Sequence, residues 1–115
     1  EISKQDYLNI IEGKTAAFMG ACCKLGAITV EAKEKEIKDL ESFGLNFGMV
    51  YQIIDDCTDG DLNALKNNIT VENAEDFALK AEEVINNLEP SIFKKALISL
   101  LNYVVESSNK KTKKA

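Results

Sequence analysis

The sequence predicts an all-α protein. One proline and six glycines fall in 115 residues, and so few breakers favour long helices. Apolar residues recur at steps of three and four, the spacing of one helix face. With 45% apolar and 29% charged residues, the composition is that of an ordinary globular chain and speaks against disorder. About four main helices account for the pattern.

The first helix is expected over 4–30. Ser3 followed by Asp6 marks its start, with the carboxylate near the positive end of the helix dipole. Tyr7, Ile10, Ile11, Phe18, Met19, Cys22 and Leu25 form its apolar line. Gly13, Gly20 and Gly26 lie inside it. Each costs about 1 kcal/mol against Ala, and close packing is what they would permit. The mixed charges of 31–36 suit an exposed junction. The second helix is expected over 35–59, with Gly60 as its stop. The polar stretch 61–70 reads as irregular. A third helix starts near Glu72 or Asn73 and ends near Leu88. Pro90 then precedes a fourth over 91–106, with the apolar line Ile92, Phe93, Ala96, Leu97, Leu100, Leu101 and Val104. The helical domain so outlined is 1–108, and the basic tail 109–115 is expected to be disordered.

Composition also removes several chemistries. The charge is 14 basic against 19 acidic, or −5. A phosphate-backbone binder carries a basic face, so no nucleic-acid partner is expected. No histidine is present, which removes Ser-His and Cys-His catalysis and imidazole metal sites. A metal would have to sit on carboxylates, which favours hard ions such as Mg²⁺ or Ca²⁺. Cys22, Cys23 and Cys57 form neither a CxxC motif nor an even framework. They read as buried thiols in a reducing, cytoplasmic compartment. No apolar run approaches the ~18 residues of a membrane span. The first residue is Glu1 rather than Met, as expected of a processed chain or a fragment.

The second helix carries the chemistry. At about 100° per residue, with Gln52 at 0°, Asp55 falls near −60°, Asp56 near +40° and Asp59 near −20°. Phe43, Phe47, Val50 and Ile54 form the opposite stripe, expected to pack on the first helix. Three carboxylates within two turns repel one another. A divalent cation converts that repulsion into attraction, and Mg²⁺ usually takes one or two carboxylates together with substrate phosphates. The acids are therefore either a Mg²⁺–polyphosphate site or a solvated acidic face. Asp61 lies elsewhere on the projection and reads as loop or cap. Gly44 and Gly48 continue the line of Gln52 and Asp56 downward, leaving room for a packed helix or for an apolar substrate tail. On the first helix, Lys14 and Thr15 offer the cation and hydroxyl that a diphosphate needs. A snorkelling surface Lys is the other reading.

Together these pieces resemble the trans-isoprenyl diphosphate synthases, or polyprenyl synthetases. Tyr7-x-x-x-Ile11-x-x-Lys14-Thr15-Ala16 followed by Cys23-x-Leu25-Gly26-Ala27 is similar to the family's Lys-Thr helix. The run from Phe43 to Asp59, FGLNFGMVYQIIDDCTD, resembles its second aspartate-rich helix. Leu97-x-x-Leu100-x-x-Tyr103-Val104-Val105-Glu106 is similar to its terminal helix. The resemblance implies part of the isoprenoid synthase fold, here its C-terminal portion. It also implies a prenyltransferase chemistry: Mg²⁺ grips an allylic diphosphate, the C–O bond ionises, and isopentenyl diphosphate attacks the carbocation. By match, Asp55, Asp56 and Asp59 are the metal ligands. Lys14 and Thr15 are at the diphosphate, and Lys14, Thr15 and Gln52 are the catalytic set. The first aspartate-rich motif is not in this chain, and the segment after Gly60 is short, with Lys66 only a loose match to a downstream lysine. The chain alone is thus expected to be inactive and to form a homodimer or associate with the missing N-terminal half. A non-catalytic partner or regulatory subunit of a prenyl synthase is the alternative, and a plain helical interaction module a third.

Overall fold

The computed structural model describes the backbone of residues 2–114 and the side chains of 2–107. It is all-α, and no strand occurs among the described residues. The elements in order are α1 (Lys4–Ile11), a π-helical turn (Glu12–Ala16), α2 (Ala17–Thr29), α3 (Glu34–Asp59), α4 (Leu62–Lys66), α5 (Val71–Asn86) and α6 (Ile92–Lys114). The expectation of a disordered tail over 109–115 concerns residues outside the described side chains.

The caps explain most boundaries. Ser3 Oγ accepts from the Asp6 N–H at 3.1 Å, and Asp6 Oδ2 accepts from the Ser3 N–H at 3.2 Å. This reciprocal box satisfies donors that the first turn of α1 leaves over. Glu36 accepts from the Lys33 N–H at the start of α3. Gly60 closes α3 in the left-handed conformation, with φ at 69°, as expected for a helix stop that only glycine adopts without strain.

Two expectations about elements are corrected. The first helix is not continuous, because a π turn at Glu12–Ala16 divides it. The stretch 61–70 is not wholly irregular either. Asp61 Oδ2 accepts from the Ala64 N–H at 3.1 Å and starts the short α4. That turn buries Ala64, and Ile69 follows it into the core. Asp61 is the cap that its position suggested.

Helix α3 is the centre of the molecule, in contact with α2 and the π turn, α4, α5 and α6. Its apolar stripe is divided: Val50 and Ile54 share a buried cluster with Tyr7, Ile11 and Ala16 of the first helix, but the other half turns elsewhere. Phe43 instead clusters with Ala81 and Ile85 of α5 and Leu101 of α6, and its ring stacks on Phe47 at 5.8 Å between centroids. The glycine line makes the close approach to the first helix. A Cβ on Gly44 would stand 2.6 Å from the Met19 carbonyl oxygen, and one on Gly48 would stand 2.6 Å from Ala16 Cα. Backbone on backbone fills that space, so it holds a helix and not a substrate tail. In the first helix, a Cβ on Gly20 would stand 3.2 Å from the Glu41 carbonyl oxygen, whereas one on Gly13 or Gly26 would meet nothing within 4 Å. A Lys24–Glu41 pair at 3.8 Å also joins α2 to α3. Both partners are largely solvated, so it adds little.

Burial departs from expectation in two further places. Cys22 is exposed, while Cys23 and Cys57 are half-buried free thiols. Burial pushes the Cys23 thiol up, with Cys22 adding to it; burial and then Asp56 do the same to Cys57. On α6, Leu101 is buried, but Ile92 and Phe93 are 82% and 81% exposed.

Candidate functional site

The last turns of α3 and the π turn meet at one place. Ala16 is fully buried and lies against Gly48. An i→i+5 turn takes more residues per turn than an α-helix, so consecutive side chains lie closer around the axis. Ala16 thus fits against α3 while its neighbour Thr15 also reaches across. Thr15 Oγ1 donates to Gln52 Oε1 at 2.8 Å. Gln52 Nε2 donates to Asp56 Oδ1 at 2.9 Å, one turn along α3. The Tyr7 hydroxyl donates to Asp56 Oδ2 at 2.5 Å. Four side chains from α1, the π turn and α3 thus form one chain of hydrogen bonds.

Gln52 is buried, Thr15 and Asp56 are half-buried, and Lys14, Asp55 and Asp59 are exposed. Burial pushes the Tyr7 phenol well above the ordinary tyrosine range, and its bond to Asp56 and the nearby negative charge push it further. The phenol therefore keeps its proton and acts as a donor. The structure joins Thr15, Gln52 and Asp56 directly. Asp55 and Asp59 share the end of α3 with Asp56 without a shared hydrogen bond. Lys14 stands beside Thr15 in the π turn.

Sequence reasoning missed two features. The π turn has no simple composition signal. By its spacing Tyr7 belongs to the apolar line, although a buried Tyr O–H must find an acceptor, and Asp56 is that acceptor.

The donor set suits a hard cation. Asp55, Asp56 and Asp59 offer carboxylate oxygens, two of them on exposed side chains open to water and to a ligand. Among the described residues, no group of three acidic or thiol side chains converges to hold a metal ion by itself. A site of this kind fits an ion that draws part of its shell from water and phosphate, as Mg²⁺ does.

The fold and site define a helical chain whose aspartate-rich helix end is tied to a Lys-Thr turn. The family model for polyprenyl synthetase matches residues 1–78, and the chain belongs to that family. Among similar proteins is a geranylgeranyl diphosphate synthase of Mycobacterium tuberculosis, 45% identical over 56 residues, which are 49% of this chain and 16% of that protein. Another is heptaprenyl diphosphate synthase component 2 of Bacillus subtilis, 48% identical over 59 residues, 51% of this chain and 17% of that protein. A farnesyl diphosphate synthase of Bacillus subtilis is 36% identical over 59 residues, 51% of this chain and 20% of that protein. The chain thus matches a fifth or less of the length of each of these relatives. No solved structure matches it. Among the described residues, no helix is long and apolar enough to cross a membrane.

Proposed function

We propose that this chain is the C-terminal portion of a polyprenyl diphosphate synthase, carrying the second aspartate-rich half of its Mg²⁺–diphosphate site. One observation carries the reading: the hydrogen bond between Thr15 and Gln52, which ties the Lys-Thr turn to the aspartate-rich helix across 37 positions of sequence. The whole enzyme would condense an allylic diphosphate with isopentenyl diphosphate in the cytoplasm. Asp55, Asp56 and Asp59 would hold Mg²⁺. The ion would supply positive charge to the departing diphosphate, the Lewis-acid role. Lys14 adds a second positive charge from an exposed position, and Thr15 lines the same turn. Gln52 links Thr15 to Asp56 through its amide. The buried face of α3 behind it excludes water. Half a site does not complete the reaction, so the isolated chain is inactive in this reading.

Calorimetry tests it. Mg²⁺ alone should bind weakly, and Mg²⁺ with inorganic diphosphate should bind better, because diphosphate brings oxygens that the carboxylates lack. Equal affinity of the wild type and Asp55→Ala/Asp56→Ala would reject the site.

A second reading, a subunit of a two-part synthase, has its own support. One similar protein is named as component 2 of a heptaprenyl diphosphate synthase. Phe18, Leu25, Ile92 and Phe93 are large exposed apolar side chains on α2 and α6, as a surface awaiting a partner would carry. Full activity of the native chain without any further chain would reject it.

A further inference from the structure

We propose that Tyr7 is the positioning residue for Asp56, holding its carboxylate in one orientation for a Mg²⁺-bound diphosphate. The inference rests on the function proposed above and extends it to Tyr7, a residue of the Lys-Thr helix to which that reading gives no role.

Tyr7 is 3% exposed and sits in the buried cluster with Ile11, Ala16 and Ile53. Its ring packs in the core while its hydroxyl donates to Asp56 Oδ2. Gln52 Nε2 donates to the other oxygen, Oδ1. The Gln52 amide is itself oriented, because its Oε1 accepts from Thr15. The opposite orientation would set the amide oxygen against the Asp56 carboxylate, two acceptors facing each other. Both ends of the clamp are thus anchored, one by core packing and the other by the π turn.

The chemistry follows from the carboxylate. A free Asp rotates through a broad, roughly two-fold torsion. With one donor on each oxygen that rotation is stopped, and each oxygen retains a further lone pair for a cation. A ligand set in place before binding loses less freedom on binding and needs less reorganisation. Among the described residues, no hydrogen bond to Asp55 or Asp59 is found, and both side chains are exposed. Asp56 is therefore the organised acid of the three, and Tyr7 is the partner that ties it to α1.

A tyrosine that only fills the core would also destabilise the fold when changed, so the test must separate positioning from packing. The full 115-residue chain is titrated with Mg²⁺ and inorganic diphosphate by calorimetry as wild type, Tyr7→Phe, Asp56→Ala and the double variant. Phe keeps the ring, and circular dichroism checks that the helices persist. Tyr7→Met serves as a second replacement without the hydroxyl. Tyr7→Phe and Tyr7→Met should each weaken joint binding roughly tenfold, equivalent to about 1.4 kcal/mol. In the Asp56→Ala background, Tyr7→Phe should cost nothing further, because its acceptor is gone. The Asp56 carboxyl ¹³C resonance should also move in Tyr7→Phe before any ligand is added. Equal affinity of Tyr7→Phe and wild type, or an additive loss in the double variant, would overturn this inference and leave the site itself standing. No Mg²⁺-dependent diphosphate binding by the wild type would overturn both.

Discussion

Replacing Gly48 by Ala adds one methyl group where α3 meets the backbone of the π turn. That carbon would lie 2.6 Å from Ala16 Cα and 3.2 Å from Ala16 Cβ. Ordinary carbon contacts begin near 3.5 Å, so the helices must part by about 1 Å or the backbone must bend. The neighbour is backbone in a fully buried residue, which leaves no flexible side chain to swing aside. Overpacking of this kind costs about 1–3 kcal/mol. Ala gains about 1 kcal/mol over Gly in helix propensity, so the net loss should be up to about 2 kcal/mol. Gly26→Ala is the control, since its Cβ would meet nothing within 4 Å. It should keep the propensity gain and stabilise the chain by up to about 1 kcal/mol. Urea denaturation followed by circular dichroism measures both. The displacement should also pull Thr15 from Gln52, so Gly48→Ala should weaken Mg²⁺-diphosphate binding while Gly26→Ala leaves it unchanged. A Gly48→Ala protein stabilised as much as Gly26→Ala, or a destabilised Gly26→Ala protein, would refute the reasoning.

Four further outcomes are expected. Thr15→Val leaves the buried Gln52 oxygen without its donor and should cost about 1–3 kcal/mol, read as a lowered urea midpoint. The exposed Phe18, Leu25, Ile92 and Phe93 should drive concentration-dependent association in sedimentation experiments, reduced in Ile92→Ser/Phe93→Ser; a wild-type monomer throughout the micromolar range would contradict this. Exposed Cys22 should react with maleimide before half-buried Cys23. Because burial raises the Cys23 pKa, its neutral thiol is the form the fold favours. Its contribution to stability is complete below the ordinary thiol pKa of about 8.5 and declines as pH rises through the folded value. A Cys23→Ala variant should therefore lose less stability than the wild type on moving to alkaline pH.

The helical class, the stop at Gly60, the start at Ser3 and the aspartate-rich face were all legible in the sequence. Each rests on local physics: period, cap chemistry and the angular spacing of neighbours along one helix. The family was legible for the same reason, since its motifs are contiguous runs. Residues 61–70 read as irregular because the stretch is polar, and burial of Ala64 and Ile69 decides the short helix that Asp61 caps. The glycine line left two possibilities open, a substrate groove or a packed helix. Only the position of Ala16 and Met19 across the interface chose between them. The π turn likewise depends on fitting Ala16 to Gly48 while Thr15 meets Gln52, which no local preference of Glu12–Ala16 specifies. Tyr7 is the clearest case. Along the chain it is one more apolar position at helical spacing. Its partner Asp56 is 49 residues away, and a buried hydroxyl finds its acceptor only when the helices have packed.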